Sequence, residues 1–129
     1  MSDYDIVALS EMAKRMQINI IKLAYMVGNK GAHIAPALSC NEIMAVLYGC
    51  VMHLNPSNPK YDDRDRFLLG KGHGALALYA ALHEAGLISK EKLFTYQENG
   101  GGGGDRGAGR GRGLLCDYPG ALLGSVVAL

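Results

Sequence analysis

Gly70-Lys71-Gly72-His73-Gly74 is the densest grouping of chemistry-bearing residues in the chain. A short apolar burst, Phe67-Leu68-Leu69, runs into it, and a strong helix former takes over at Ala75. Strand, glycine turn and helix in that order aim free backbone N–H groups and the positive end of a helix dipole at one point. An anion such as a phosphate fits there. Lys71 and His73 would both be within reach, and the glycines let the backbone come close without a Cβ in the way. The residues alone favour a tight turn with a solvated lysine and a histidine that merely caps the helix, because short Gly-rich turns are common. His33 is the second candidate, in a loop with Gly31 just before it and Pro36 just after. An imidazole there can donate to a phosphate and exchange protons near neutral pH, but a loop histidine beside glycine is more often solvated. His53 and His83 read as ordinary surface or helix-end residues. Arg64, Asp65 and Arg66 read as surface ion pairs that frame the strand.

Helices must hold these residues in place. Ile6, Leu9, Ala13, Met16, Ile20, Leu23 and Val27 recur at spacings of three and four, which predicts one apolar stripe on a long helix ended by Gly28 and Gly31. Ile21 and Ala24 lie off that stripe, more apolar surface than a small domain needs on one helix, and they point to association. Ser39 followed by Glu42 reads as a capping box opening a second helix from about Cys40 to His53, stopped by Asn55-Pro56. A third helix is predicted over Ala75–Glu84 with Gly86 as its stop, and a fourth, capped by Ser89, over Lys90–Tyr96. Helices flanking a buried apolar strand predict an α/β layer architecture in which one strand is visible, Phe67–Leu69.

Composition excludes several function classes. The 129 residues make one domain with a real core and little to spare. Thirteen basic and twelve acidic residues nearly cancel, so charge points to neither nucleic acid nor an acidic partner. Cys40, Cys50 and Cys116 form no Cys-x-x-Cys pair and have no histidine at zinc-ligand spacing; reduced thiols in a cytosolic protein account for them. The acidic start has no apolar signal region, and no stretch is long enough to span a bilayer, so a cytoplasmic location is expected.

The run Arg64-Asp-Arg-Phe-Leu-Leu-Gly-Lys-Gly-His-Gly-Ala-Leu-Ala-Leu-Tyr79 resembles the strand–loop–helix near the start of transketolases. Lys30-Gly-Ala-His-Ile-Ala-Pro-Ala-Leu-Ser-Cys-Asn-Glu-Ile-Met-Ala-Val-Leu-Tyr48 is similar to a second block of that family at the right distance upstream. Asn55-Pro-Ser-Asn-Pro59 stands between them, where the family carries a comparable turn. The resemblance covers about residues 4–98. It implies a partial thiamine-diphosphate-binding fold of α/β class, and transfer of a two-carbon ketol unit between sugars, often phosphorylated. It also implies His33 at the catalytic site against substrate, and His73, with Gly72 and Lys71, at the cofactor diphosphate. A magnesium or calcium ion belongs with that cofactor, and family members form dimers, so a homo-oligomer or a complementary C-terminal subunit is expected as partner.

The pattern departs after Asn99. Gly70 stands where the family commonly has serine, and Ala35 where it has glycine, both small changes. Residues 100–113 then hold nine glycines in fourteen positions and no histidine, where transketolases carry a third active-site histidine. Residues 114–129 keep a faint echo in Tyr118-Pro-Gly-Ala-Leu-Leu-Gly124, and the chain stops before the Gly-Asp-Gly…Asn segment that holds the metal, so no metal ligand is assigned. The Gly/Arg run reads as a flexible linker, as an RNA-contacting segment, or, the favoured reading, as out-of-frame translation of a GC-rich gene. The division expected is residues 1–98 as the N-terminal part of the diphosphate-binding domain, 99–113 as a disordered segment and 114–129 as an apolar remnant. Alternatives to ketol transfer by this chain with a partner are a catalytically inactive scaffold or dimerisation remnant, and an enzyme like deoxyxylulose-phosphate synthase.

Overall fold

The computed structural model describes residues 4–27, 32–94 and 121–123. Gly28, Gly31 and the Gly/Arg run lie outside the described residues, as does most of 114–129.

Helix α1 (Ile6–Val27) starts at Asp5, whose Oδ1 accepts the Ala8 N–H at 3.0 Å and satisfies one of the donors orphaned at a helix start. Ala13, Met16, Ile20, Leu23 and Val27 are buried as the spacing predicts, and Met12, outside that stripe, is buried with them. The stripe begins later than that spacing implies. Ile6 is 75% exposed and Leu9 only half-buried. Among the described residues no helix is long and apolar enough to cross a membrane.

Helix α4 (Ala75–Glu84) is the centre of the molecule. Every residue from Ala75 to Leu82 is buried, and a helix apolar on all sides belongs in the core rather than on it. Helix α1 packs along it, joined by α2 (Ile34–Leu38), α3 (Asn41–Val46) and α5 (Lys90–Leu93). Gly86 ends α4 as the sequence predicts. Its φ of 75° is the left-handed conformation that favours glycine, and the N–H groups of Gly86 and Leu87 return to the carbonyls of His83 and Leu82 at 2.9 Å each. Glu84, at the negative end of the α4 dipole, is offset by Arg15 of α1, Nε to Oε2 2.8 Å.

The segment before α3 differs from its sequence reading. His33 does not sit in an open loop; it precedes α2, a five-residue helix whose Pro36 falls in the first turn, where a missing N–H costs nothing. Ser39 closes α2 instead of opening α3, and its hydroxyl donates to the Pro36 carbonyl at 2.8 Å, so the expected capping box with Glu42 does not form. Glu42 instead accepts from Gln17 of α1 at 3.0 Å. Helix α3 passes into a π-helical turn over Leu47–Val51, and the chain is extended again at Met52, just short of the predicted end at His53. A Cβ at Gly49 would stand 2.6 Å from Leu9 Cδ2, so the missing side chain lets this turn close on α1.

Strand β1 (Phe67–Leu69) pairs in parallel with β2 (Ala121–Leu123), Leu68 opposite Leu122. The sequence shows the first and not the second. The loop before β1 is tied by His53 and Asp65, which the sequence reading treats as unrelated surface residues. Asp65 Oδ2 accepts the His53 N–H at 2.6 Å and lies 3.0 Å from His53 Nδ1, while the His53 carbonyl accepts from Tyr61 Oη at 2.8 Å. Among the described residues Arg64 donates to the carbonyls of Lys60 and Tyr61 and to no carboxylate. Ser89 caps α5 as expected, its hydroxyl accepting the Lys92 N–H at 3.2 Å. Helix α5 ends at Leu93; Tyr96, its predicted end, lies outside the described residues.

Candidate functional site

Strand β1 drives Leu69 into the core and releases the chain at Gly70. Residues 72–74 then form one 3₁₀ turn that runs directly into α4. This turn spends donors that the sequence reading leaves free: the Gly74 N–H returns to the Lys71 carbonyl at 2.9 Å, and the Ala75 N–H to that of Gly72. Gly74 is buried, and a Cβ there would meet Cys40 Sγ at 3.3 Å, so this glycine serves packing rather than ligand approach. The ligand-facing chemistry is therefore left to the side chains of Lys71 and His73, neither of them buried.

His33 arrives at the same place from the other side. It stands at the start of α2, and α2 packs on the 3₁₀ turn. The His33 and His73 rings lie with centroids 4.2 Å apart and planes tilted by 50°. Two residues chosen from separate sequence blocks thus share one spot. Lys71 joins the two segments a second time, its Nζ donating to Ser39 Oγ at 2.6 Å.

Cys40 lies under the cluster, its Sγ 3.4 Å from the carbonyl oxygens of both Pro36 and Ala37. Burial pushes its thiol above the ordinary cysteine value, with the Lys71 cation pulling the other way. A thiol held protonated is a packing group, not a nucleophile.

Two imidazoles and an ammonium suit a negatively charged oxygen group, because each offers N–H donors and the lysine adds a full charge. The donor set fits the diphosphate end of a cofactor. It does not fit a metal: among the described residues, no group of three His, Cys, Asp or Glu stands close enough to hold one. Sequence reasoning missed Ser39 as a member of the cluster. Its sole signal, a serine before a helix, has a commoner meaning as a cap.

Known proteins carry a similar segment. Residues 11–100 match the family described as transketolase, thiamine diphosphate binding domain. The chain is 38% identical over 84 residues to a transketolase of Mycoplasma genitalium, covering 65% of this chain and 12% of that protein. It is 40% identical over 87 residues to a 6-deoxy-6-sulfo-D-fructose transketolase subunit of a Clostridium species, covering 65% of this chain and 32% of that one. It is 35% identical over 92 residues to an apulose-4-phosphate transketolase subunit of Phocaeicola vulgatus, covering 71% and 32%. The chain thus spans a third or less of these relatives' lengths. A match across most of the described residues, with both histidine-bearing blocks inside it, places the chain in the transketolase family, as part of its thiamine-diphosphate-binding domain.

Proposed function

We propose that this chain takes part in transketolase-type transfer of a two-carbon ketol unit between sugars, as the N-terminal part of a site completed by another polypeptide. The observation behind the proposal is the contact between His33 and His73. Bound thiamine diphosphate supplies the carbanion chemistry of such a transfer. The chain's own residues bind and orient. His73 donates from its imidazole to the diphosphate, Lys71 adds positive charge, and Gly72 lets the backbone come near. His33, against the other side of His73, faces the sugar and moves a proton at its hydroxyl or carbonyl oxygen.

Magnesium or calcium would come with the cofactor and be held by residues outside the described ones. Relatives named as subunits support a complementary partner chain, and a homo-oligomer is the other arrangement. Sugar phosphates are the proposed substrates.

Titration calorimetry with thiamine diphosphate and magnesium, on the full chain and on the chain with a complementary subunit, tests this. Binding in either setting, weakened by His73→Ala, is the expected result. No heat in either would leave a scaffold or dimerisation remnant as the better reading.

A further inference from the structure

Ser39 Oγ donates to the Pro36 carbonyl at 2.8 Å and accepts from Lys71 Nζ at 2.6 Å. A hydroxyl has one proton to give, and here α2 takes it. The oxygen lone pairs are left for the ammonium, so the direction of the Lys71 bond is set by a backbone carbonyl that cannot move far. Ser39 is held in turn by its own N–H, which bonds the Ala35 carbonyl at 3.0 Å.

The neutral partner matters. Lysine carries a flexible four-carbon stem whose freedom must be given up when its charge is aimed at a ligand. A carboxylate at position 39 would hold the stem and cancel the charge. Serine holds the stem and leaves the charge intact, and among the described residues no carboxylate pairs with Lys71. The ammonium is thus fixed in advance on Ser39, at the residue that caps the turn carrying His73.

We infer that Ser39 is a positioning residue: it holds the Lys71 ammonium in place for a diphosphate group and links α2, which follows His33, to the turn that carries His73. The inference rests on the reading of this cluster as the diphosphate site.

Calorimetry with inorganic pyrophosphate and with thiamine diphosphate plus magnesium tests it, on the full chain and with the complementary subunit. The proteins are the parent, Ser39→Ala, Ser39→Thr, Lys71→Ala and the double variant Ser39→Ala/Lys71→Ala. Ser39→Ala is expected to weaken binding by about tenfold, the effect of losing one hydrogen bond to a charged group. Ser39→Thr, which keeps the hydroxyl, restores it. In the Lys71→Ala background, Ser39→Ala changes nothing further, because Ser39 acts only through Lys71. Equal losses in both backgrounds, parent-like affinity of Ser39→Ala, no rescue by threonine, or unfolding of Ser39→Ala would each overturn the inference. If Lys71→Ala weakens binding and Ser39→Ala does not, the site reading stands and this inference alone fails. If the parent binds neither probe, both fall together.

Discussion

His33 and His73 come from separate segments, yet their rings stand 4.2 Å apart, neither of them buried. The roles proposed for them differ with the elements that carry them. His73 belongs to the turn that feeds α4 and shares it with Lys71, whereas His33 fronts the short α2.

His73→Ala should leave folding nearly intact, because an imidazole at the surface buries little apolar area. Loss of one donor to a charged phosphate should cost about 1.5–3 kcal/mol of cofactor affinity, roughly ten- to a hundredfold. His33→Ala should leave cofactor affinity close to the parent's and act on the sugar step instead. Calorimetry and kinetics in the assembly with the complementary subunit check both. Cofactor binding lost in His33→Ala and kept in His73→Ala would reverse the two assignments.

The His53–Asp65 tie should make stability depend on pH in one direction. The His53 backbone N–H first, and its imidazole second, hold the Asp65 carboxyl below the ordinary carboxylate value. A folded value below the unfolded one stabilises the protein above the unfolded value of about 3.9 and is lost as pH falls through the folded one. Asp65→Asn should therefore lower the urea midpoint at pH 7 and cost progressively less as the pH drops below about 4. An equal loss at pH 7 and pH 3 would mean that the charge of Asp65 contributes nothing.

How much of this is legible in the sequence follows from where each signal resides. Helix α4 is readable because Ala75–Leu82 is apolar without a break, and its stop because Gly86 is a glycine in the one conformation that needs it. The stripe of α1 is readable, but not where cover for it begins, since that depends on other elements. Helix α2 has five residues with a proline inside, too short for any period to show. Ser39 misleads because α2 and α3 nearly abut, so a residue that ends one helix looks like the cap of the next. Strand β2 pairs with residues far away in the chain, and no local pattern announces such a partner. The candidate site is legible residue by residue only through family resemblance; that its two histidines touch is a product of tertiary packing.

Gly86→Ala tests the end of α4. A Cβ there would lie 3.5 Å from Pro56 Cβ, ordinary contact, so the cost comes from the backbone alone. A left-handed non-glycine residue costs roughly 1–2 kcal/mol, and the thermal midpoint should fall accordingly. An unchanged midpoint would show that the helix can end without this conformation.

Asn41 is the strongest case for a stability effect that depends on charge. Its side chain is fully buried, and Nδ2 donates to the Ala13 carbonyl of α1 at 3.1 Å, while Oδ1 has no partner among the described residues. The amide thus ties α3 to α1 with one bond made and one acceptor unmet. Asn41→Leu removes both the bond and the unmet acceptor, so it should change stability by no more than about 1.5 kcal/mol. Asn41→Asp keeps the shape but places in a buried site facing the Ala13 carbonyl a carboxyl that can donate only while protonated. Burial then raises the folded pKa above the unfolded value of about 3.9. By linkage, the variant is least impaired below that value and loses stability as pH rises, reaching a deficit of about 3–5 kcal/mol near neutrality, as for an unpaired buried charge. Urea unfolding of parent, Asn41→Leu and Asn41→Asp at pH 4 and pH 7 reads this directly. The Asp variant should fall behind the Leu variant by far more at pH 7 than at pH 4. A gap that stays constant between the two would mean that water reaches position 41 and that the α1–α3 contact is not dry.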